Sequence, residues 1–122
     1  MKAISIRQPW ASFIASGRKK GEVRSWLTHY RGELVVCAGL RVDESPFKTK
    51  GLLPTGVTLC VANLVDCHPW QPCNARSTMV DEGDGTYVFE LRDVRPLPPI
   101  PVKGQLGLFS LPPAAVRTLG LG

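Results

Sequence analysis

The chain has 122 residues, of which 43% are hydrophobic and 20% charged, and its formal net charge is +5 at pH 7. This length suits one folded domain with its own core, so we predict a single domain over residues 1–122. No apolar run approaches the roughly 20 residues that cross a bilayer, and the N-terminal sequence lacks the apolar stretch of a signal peptide. We therefore expect a cytoplasmic protein with no membrane partner.

The positive charge is concentrated at the start of the chain. The first 32 residues hold seven Lys or Arg and one Glu, whereas the other 90 hold eight basic and nine acidic residues. Trp10, Trp26 and Tyr30 lie in the same basic stretch. Phosphates bind to cations and nucleobases stack on aromatic rings, so this stretch favours a nucleic-acid partner. A merely solvated basic face is the alternative.

The first elements follow from local sequence signals. Residues 3–7 are predicted to form a short strand. Pro9 suits the first position of a helix, where its missing N–H costs nothing, and apolar residues beginning with Trp10 follow at i, i+3, i+4 spacing. Gly17 stands where a left-handed helix terminator belongs, which predicts a helix over residues 9–16. On this apolar face, Trp10 is interpreted as a core residue rather than a ligand contact.

A second strand is predicted over residues 22–27. Alternate side chains of a strand share a face, so Glu22, Arg24 and Trp26 are expected to point to the same side. Lys19 lies just ahead of this strand, after the end of the predicted helix. We expect Lys19, Glu22 and Arg24 to border one pocket.

The remaining residues predict mostly strands and connections. A run over residues 96–101 contains four prolines and cannot join a central ladder, which favours a rigid surface connector over a peptide-recognition segment. The other predicted elements are strands over 34–38, 57–66, 87–95 and 105–111, a short helix or loop over 43–50, a loop over 67–86 and a helical turn or more over 113–119.

The cysteines do not predict a metal site. Cys37 and Cys60 lie in apolar runs and are interpreted as small core residues. The other candidates, Cys67, His68 and Cys73, lie near Cys60 in a C-x6-C-H-x4-C pattern that lacks the paired short spacing of structural zinc sites. No phosphate-binding glycine loop is present either. We therefore predict no metal and no cofactor.

Several short motifs resemble the signature of ASCH domains, a family that belongs with the PUA-like β-barrels. They are IRQPW at 6–10, GRK at 17–19, EVRSW at 22–26 and YRG at 30–32, with weaker similarity in 56–66 and 94–108. The resemblance implies an α+β, mostly β fold, namely a small mixed β-barrel with one or two short helices packed on it.

The same resemblance implies binding of RNA, as single-stranded or modified nucleotides, in a basic cleft. Phosphate would bind Lys19 and Arg24, and Glu22 would accept a hydrogen bond from an exocyclic amine. Trp26 or Tyr30 would stack on the base. The full set of predicted RNA- or ligand-binding residues is Arg7, Lys19, Glu22, Arg24, Trp26, Tyr30 and Arg31.

A hydrolase acting on a modified nucleoside or on RNA is the alternative function. Some ASCH proteins are N4-acetylcytidine amidohydrolases, and the resemblance places their catalytic lysine at Lys19. The threonine expected three residues later is Glu22 here, and the expected glutamate on a later strand has only Asn63 and Asp66 as counterparts in 57–66. If the protein is an enzyme, Lys19 and Glu22 are the predicted catalytic residues. A third hypothesis is a protein-interaction domain that uses residues 96–101.

Overall fold

Six strands and three short helices form the secondary structure, which we describe from a computed structural model for residues 1–49 and 51–121. In chain order the elements are β1 (Lys2–Gln8), α1 (Trp10–Ala15), β2 (Gly21–Arg24), β3 (Gly32–Val42), β4 (Val57–Pro69), α2 (Ala75–Thr78), β5 (Tyr87–Pro96), β6 (Leu108–Ser110) and α3 (Pro113–Leu119). In the described part of the chain, no helix has the length and apolar character needed to cross a bilayer.

The strands pair into one mixed sheet in the order β2-β5-β4-β3-β1-β6. Only β1 and β3 are parallel, and the other neighbours are antiparallel. Main-chain pairing among the described residues leaves β2 and β6 as edges, so the sheet is not closed. The β2 edge nevertheless lies close to β1, the strand next to the opposite edge, where Arg24 on β2 donates from Nη2 to the Ser5 carbonyl at 3.0 Å. The predicted α+β class with a mixed, barrel-like sheet and short helices is confirmed.

Apolar side chains cover both faces of the sheet. Alternation along β1 sends Ile4 and Ile6 into one cluster, which packs with α1, and Ala3 into a second cluster, which packs with α3. Cys60 belongs to the first cluster and Cys37 to the second, so the prediction that both are core residues is confirmed. Burial raises the pKa of the Cys37 thiol to about 11 and that of Cys60 to about 12.

The predicted strand over residues 22–27 is too long. β2 ends at Arg24, because its partner β5 begins at Tyr87, directly opposite Arg24. Trp26 therefore lies beyond the strand, yet it stays near the Glu22 face of the sheet, since Phe89 is the residue opposite Glu22. Its ring packs edge-on against Phe89, with centroids 5.0 Å apart and an interplanar angle of 86°.

Other boundaries differ where tertiary pairing decides them. β3 and β4 extend past the predicted strands 34–38 and 57–66, and the last strand is shorter than the predicted 105–111. Residues 67–86 are not all loop: they contain the end of β4, a 3-10 turn over Pro72–Asn74 and α2. Residues 43–49 hold no helix, and residue 50 lies outside the described residues.

The proline-rich run is fastened to the start of β4. Leu97 donates its N–H to the Leu59 carbonyl at 2.9 Å, and the Thr58 hydroxyl donates to the Pro98 carbonyl at 2.7 Å. The Ile100 N–H returns a bond to the Thr58 hydroxyl at 3.1 Å. This segment is an anchored connector, but the prediction that it cannot join a central ladder is wrong at its ends, where Pro96 pairs with Cys60 and Pro101 with Val57 on β4. Its use in peptide recognition stays a prediction.

Candidate functional site

A cleft of about 1010 Å³ opens between β1 and β2, where the β2 edge approaches the other side of the sheet. One wall is the end of β1 and the other is β2, and further walls come from the end of β3, the chain after α2 and the segment before β6. The residues that line the cleft include Ser5, Ile6, Arg7, Trp10, Lys19, Glu22, Arg24, Leu40, Asp43 and Leu106.

The floor of this cleft is a charged triad. Lys19 Nζ lies 3.7 Å from Glu22 Oε1, and Glu22 Oε2 accepts hydrogen bonds from Arg24 Nε at 3.1 Å and Nη2 at 2.9 Å. Lys19 Nζ also donates to the Thr78 carbonyl at the end of α2. The triad carries two positive charges against one negative charge, so it presents net positive charge to the cleft.

Local geometry explains why these three side chains meet. Gly17 adopts a φ of +83°, which reverses the chain after α1, and the Lys19 N–H returns to the Phe13 carbonyl at 3.0 Å. That reversal turns Lys19 under the helix, and strand alternation brings Glu22 and Arg24 to the same side of β2.

Burial dominates the electrostatics of Lys19. Its exposed fraction is 2%, and desolvation lowers its pKa from the usual 10.5. The Glu22 carboxylate raises the pKa again through its charge and hydrogen bond, and the Arg24 guanidinium lowers it. The amine is therefore more readily deprotonated than a surface lysine.

An aromatic surface adjoins the triad. The Trp10 ring centroid lies 5.9 Å from Lys19 Nζ, and Trp10 Nε1 donates to Asp43 Oδ2 at 2.9 Å. Asp43 Oδ1 accepts from Arg7 Nη1 at 3.3 Å. Trp10 also packs against the first core cluster, so its predicted place in the core is only part of its role. Asp43 thus fixes the orientation of both an indole and a guanidinium at the cleft.

Three of the predicted binding residues lie outside the cleft lining. Trp26 packs on Phe89, as described above. Tyr30 donates its hydroxyl to the Glu33 carbonyl at 2.5 Å. Arg31 donates to the carbonyls of Thr28 and Tyr30 and lies 3.8 Å from Asp66. The structure therefore brings together Arg7, Lys19, Glu22 and Arg24 and leaves Trp26, Tyr30 and Arg31 elsewhere.

Asp43, Leu40 and Leu106 line the cleft but were not among the predicted residues. Leu40 lies near the end of β3, Asp43 directly follows that strand and Leu106 precedes β6, so only tertiary pairing brings them to β1 and β2. The segment GQLGL at 104–108 did carry similarity to ASCH domains, which was the available signal. Within the described residues, no three His, Cys, Asp or Glu side chains are grouped closely enough to hold a metal ion.

Comparisons with known proteins agree on one family. The family model for the ASCH domain matches residues 4–97. The human protein Activating signal cointegrator 1 is 27% identical over 127 residues, which cover 88% of this chain and 22% of the relative. Its mouse counterpart is 29% identical over 126 residues with the same coverage. The chain thus spans about a fifth of the length of these curated relatives.

A solved structure has the same fold. The crystal structure of an ASCH protein from Zymomonas mobilis superimposes with a TM-score of 0.70 at 18% identity, covering 98% of this chain and 92% of that one. At this identity the similarity establishes the architecture alone.

Proposed function

The chain belongs to the ASCH domain family, which is associated with RNA binding, and we propose that its residues 1–122 form one domain that binds single-stranded RNA in the cleft between β1 and β2. The observation that carries the proposal is the convergence of the Lys19–Glu22–Arg24 triad and the Trp10 indole on one open cleft. Single-stranded RNA suits such a site, since its unstacked bases are free to enter one at a time.

Each wall of the cleft matches one part of a nucleotide. The exposed Arg7 guanidinium and the half-buried Arg24 guanidinium are placed to bind phosphate. Trp10 offers an aromatic face for a base, and we propose it in place of Trp26 and Tyr30 because those rings lie outside the lining. The Glu22 carboxylate lines the cleft and is the proposed acceptor for an exocyclic amine. Arg31 is left out, because main-chain carbonyls already bind its guanidinium.

Arg24 has a second role that affects how it is tested. Its bond to the Ser5 carbonyl is a direct link between β1 and the β2 edge of the sheet. Arg24→Ala would therefore loosen the barrel as well as remove a phosphate ligand. Arg7 offers a cleaner test, because its side chain is 55% exposed and bonds only to Asp43 in the described structure.

The test is fluorescence anisotropy with a labelled single-stranded oligoribonucleotide at several salt concentrations. We expect Arg7→Gln to weaken binding and to reduce the slope of log K against log salt by about 0.7, the value for one phosphate contact on a single strand. Arg117→Gln is the matched control, since it removes the same charge from an exposed position on α3. Equal losses in the two variants, or negligible binding by wild type at low salt, would contradict the proposal.

A second candidate function is hydrolysis of a modified nucleoside such as N4-acetylcytidine. The observation in its favour is a buried Lys19 amine with a lowered pKa beside the Glu22 carboxylate, which suits a base or nucleophile with a proton shuttle. Against it, Asn63 and Asp66 on β4 do not line the cleft, and Asp43 is the second carboxylate there. Release of acetate by wild type and by Lys20→Met, but not by Lys19→Met, would support this function. No turnover at high enzyme concentration would exclude it.

A further inference from the structure

The pairing of β1 with β6 stops where the cleft begins. Lys2 lies opposite Ser110, Ala3 opposite Phe109 and Ile4 opposite Leu108, and the ladder ends there. β1 itself continues to Gln8 through its pairing with β3. The edge of β1 at residues 5–7 is therefore left without a strand partner, and this same edge lines the cleft.

The segment that would continue β6 has turned away from β1. Gly107 has a φ of +67°, which redirects the chain just before Leu108. Leu106 is 100% exposed, although it is a large apolar side chain at the cleft mouth. Gly104 stays close to β1, since a Cβ built on it would lie 2.8 Å from the Ser5 hydroxyl. The displaced segment is thus held near the edge that it does not pair with.

The main-chain groups of β1 are in register for further pairing. The Met1 carbonyl accepts from the Leu111 N–H at 3.0 Å on the β6 side. Ser5 is two strand repeats further along, and its carbonyl also faces this side, where the Arg24 guanidinium binds it. No main-chain hydrogen bond joins Ser5 to Gly107, both of which are described residues. Continuing the observed register would pair Ser5 with Gly107 and Arg7 with Gln105.

We propose that residues 105–107 form a strap that closes the cleft by extending β6 along β1. In this register Leu106 lies opposite Ile6, just as Leu108 lies opposite Ile4. Ile4, Ile6 and Leu108 all belong to the first core cluster. Closure therefore carries the Leu106 side chain from solvent onto the Ile6 side of the sheet, into the space of the cleft.

The strap is suited to exchange between an open and a closed state. Opening exposes Leu106 and leaves this edge of β1 with the Arg24 side chain on the Ser5 carbonyl in place of a strand partner, whereas closure buries the leucine and adds main-chain hydrogen bonds along the edge. Gly107 reaches both a positive φ and an extended conformation without a Cβ penalty. The closed strap and a bound nucleotide need the same volume, so the strap acts as an internal competitor of the ligand.

Hydrogen exchange of the free protein tests closure without any ligand. Leu106→Asn removes the apolar side chain that closure buries, so the Ser5 and Arg7 amides should exchange at least about threefold faster than in wild type. Gly107→Val disfavours the positive φ of the open state, and the same amides should exchange more slowly. Leu52→Asn is the matched control, since Leu52 is 77% exposed and does not line the cleft. Unchanged exchange at Ser5 and Arg7 in both strap variants would overturn the proposal.

The effect on affinity rests on the proposed function as well. A labelled single-stranded oligoribonucleotide should bind Leu106→Asn about two- to fivefold more tightly than wild type, because the open fraction rises, and Gly107→Val more weakly. Weaker binding by Leu106→Asn would identify the leucine as a ligand contact and overturn the competitor role. If exchange responds as expected but no variant binds RNA, closure stands and the proposed function fails.

Discussion

The two tryptophans near the cleft provide a paired test of the site. Trp10 lies in the lining beside Lys19, whereas Trp26 lies outside it and packs on Phe89. Both rings are only partly buried and both touch the first core cluster. Replacing each one by leucine removes an indole of the same size from the same cluster, but only Trp10→Leu removes an aromatic surface from the cleft.

The expected magnitudes separate binding from folding. Stacking of a base on an aromatic ring is worth about 1–3 kcal/mol, so Trp10→Leu should weaken RNA binding by about 5- to 150-fold. Trp26→Leu should leave the affinity within about twofold of wild type. It should lower the free energy of unfolding, because the edge-to-face pair with Phe89 contributes about 0.5–1.5 kcal/mol beyond the area that it buries.

Two assays on wild type, Trp10→Leu and Trp26→Leu separate a loss of RNA affinity from a loss of stability. Anisotropy titrations with a single-stranded oligoribonucleotide give the dissociation constants, and urea unfolding gives the free energies of unfolding. The reasoning is refuted if Trp26→Leu weakens RNA binding as much as Trp10→Leu does. It is equally refuted if a folded Trp10→Leu binds RNA with wild-type affinity.

Three further predictions concern the charged groups. Glu22→Gln leaves the buried Lys19 without its carboxylate, so it should lower the free energy of unfolding in urea by about 3–5 kcal/mol. In a Lys19→Met background the same substitution should lower it clearly less. If the two substitutions lower the free energy of unfolding additively, the pairing is contradicted. Because burial lowers the pKa of Lys19 below 10.5, the unfolded chain binds more protons between that lowered pKa and 10.5. Wild-type stability should therefore rise with pH across this window relative to Lys19→Met, and a Lys20→Met control should behave as wild type. The hydrogen bond that His68 Nε2 donates to the Glu90 carboxylate raises the pKa of His68 above 6.5, so its contribution to stability is complete below 6.5 and is lost as pH rises through the raised pKa. The NMR titration midpoint of His68 should fall in Glu90→Gln, and an unchanged midpoint would exclude this cause.

Local sequence signals were sufficient where they specify local geometry. Pro9 and Gly17 predicted the helix between them to within a residue at either end, because proline and glycine act through their own backbone angles. The alternation of side chains along a strand correctly placed Glu22 and Arg24 on one side of β2, because it is also a property of the local backbone. The buried strand predicted from Val57 onward was found because it is apolar on both faces.

Positions set by tertiary contacts were not predictable in this way. β2 stops at Arg24 because β5 starts at Tyr87, and Trp26 beyond that boundary packs on Phe89 instead of lining the cleft. Trp10 reads as a core residue from helical spacing, yet the partly buried ring also faces the cleft, where Asp43 from another element holds it. Leu106 falls within the strand predicted over 105–111, but its place beside the cleft comes from the register of β6 against β1, which no local pattern shows.

The most direct measurement of the central claim is an NMR titration of the isotope-labelled protein with a short single-stranded oligoribonucleotide. If the cleft is the binding site, the amide signals of residues 5–7, 22–24 and 39–43 and the indole N–H of Trp10 should shift together with one dissociation constant. The indole N–H of Trp26 and the amides of α3 should stay in place. Shifts confined to α3 or to the surface around Arg31, or none at low salt, would contradict the account.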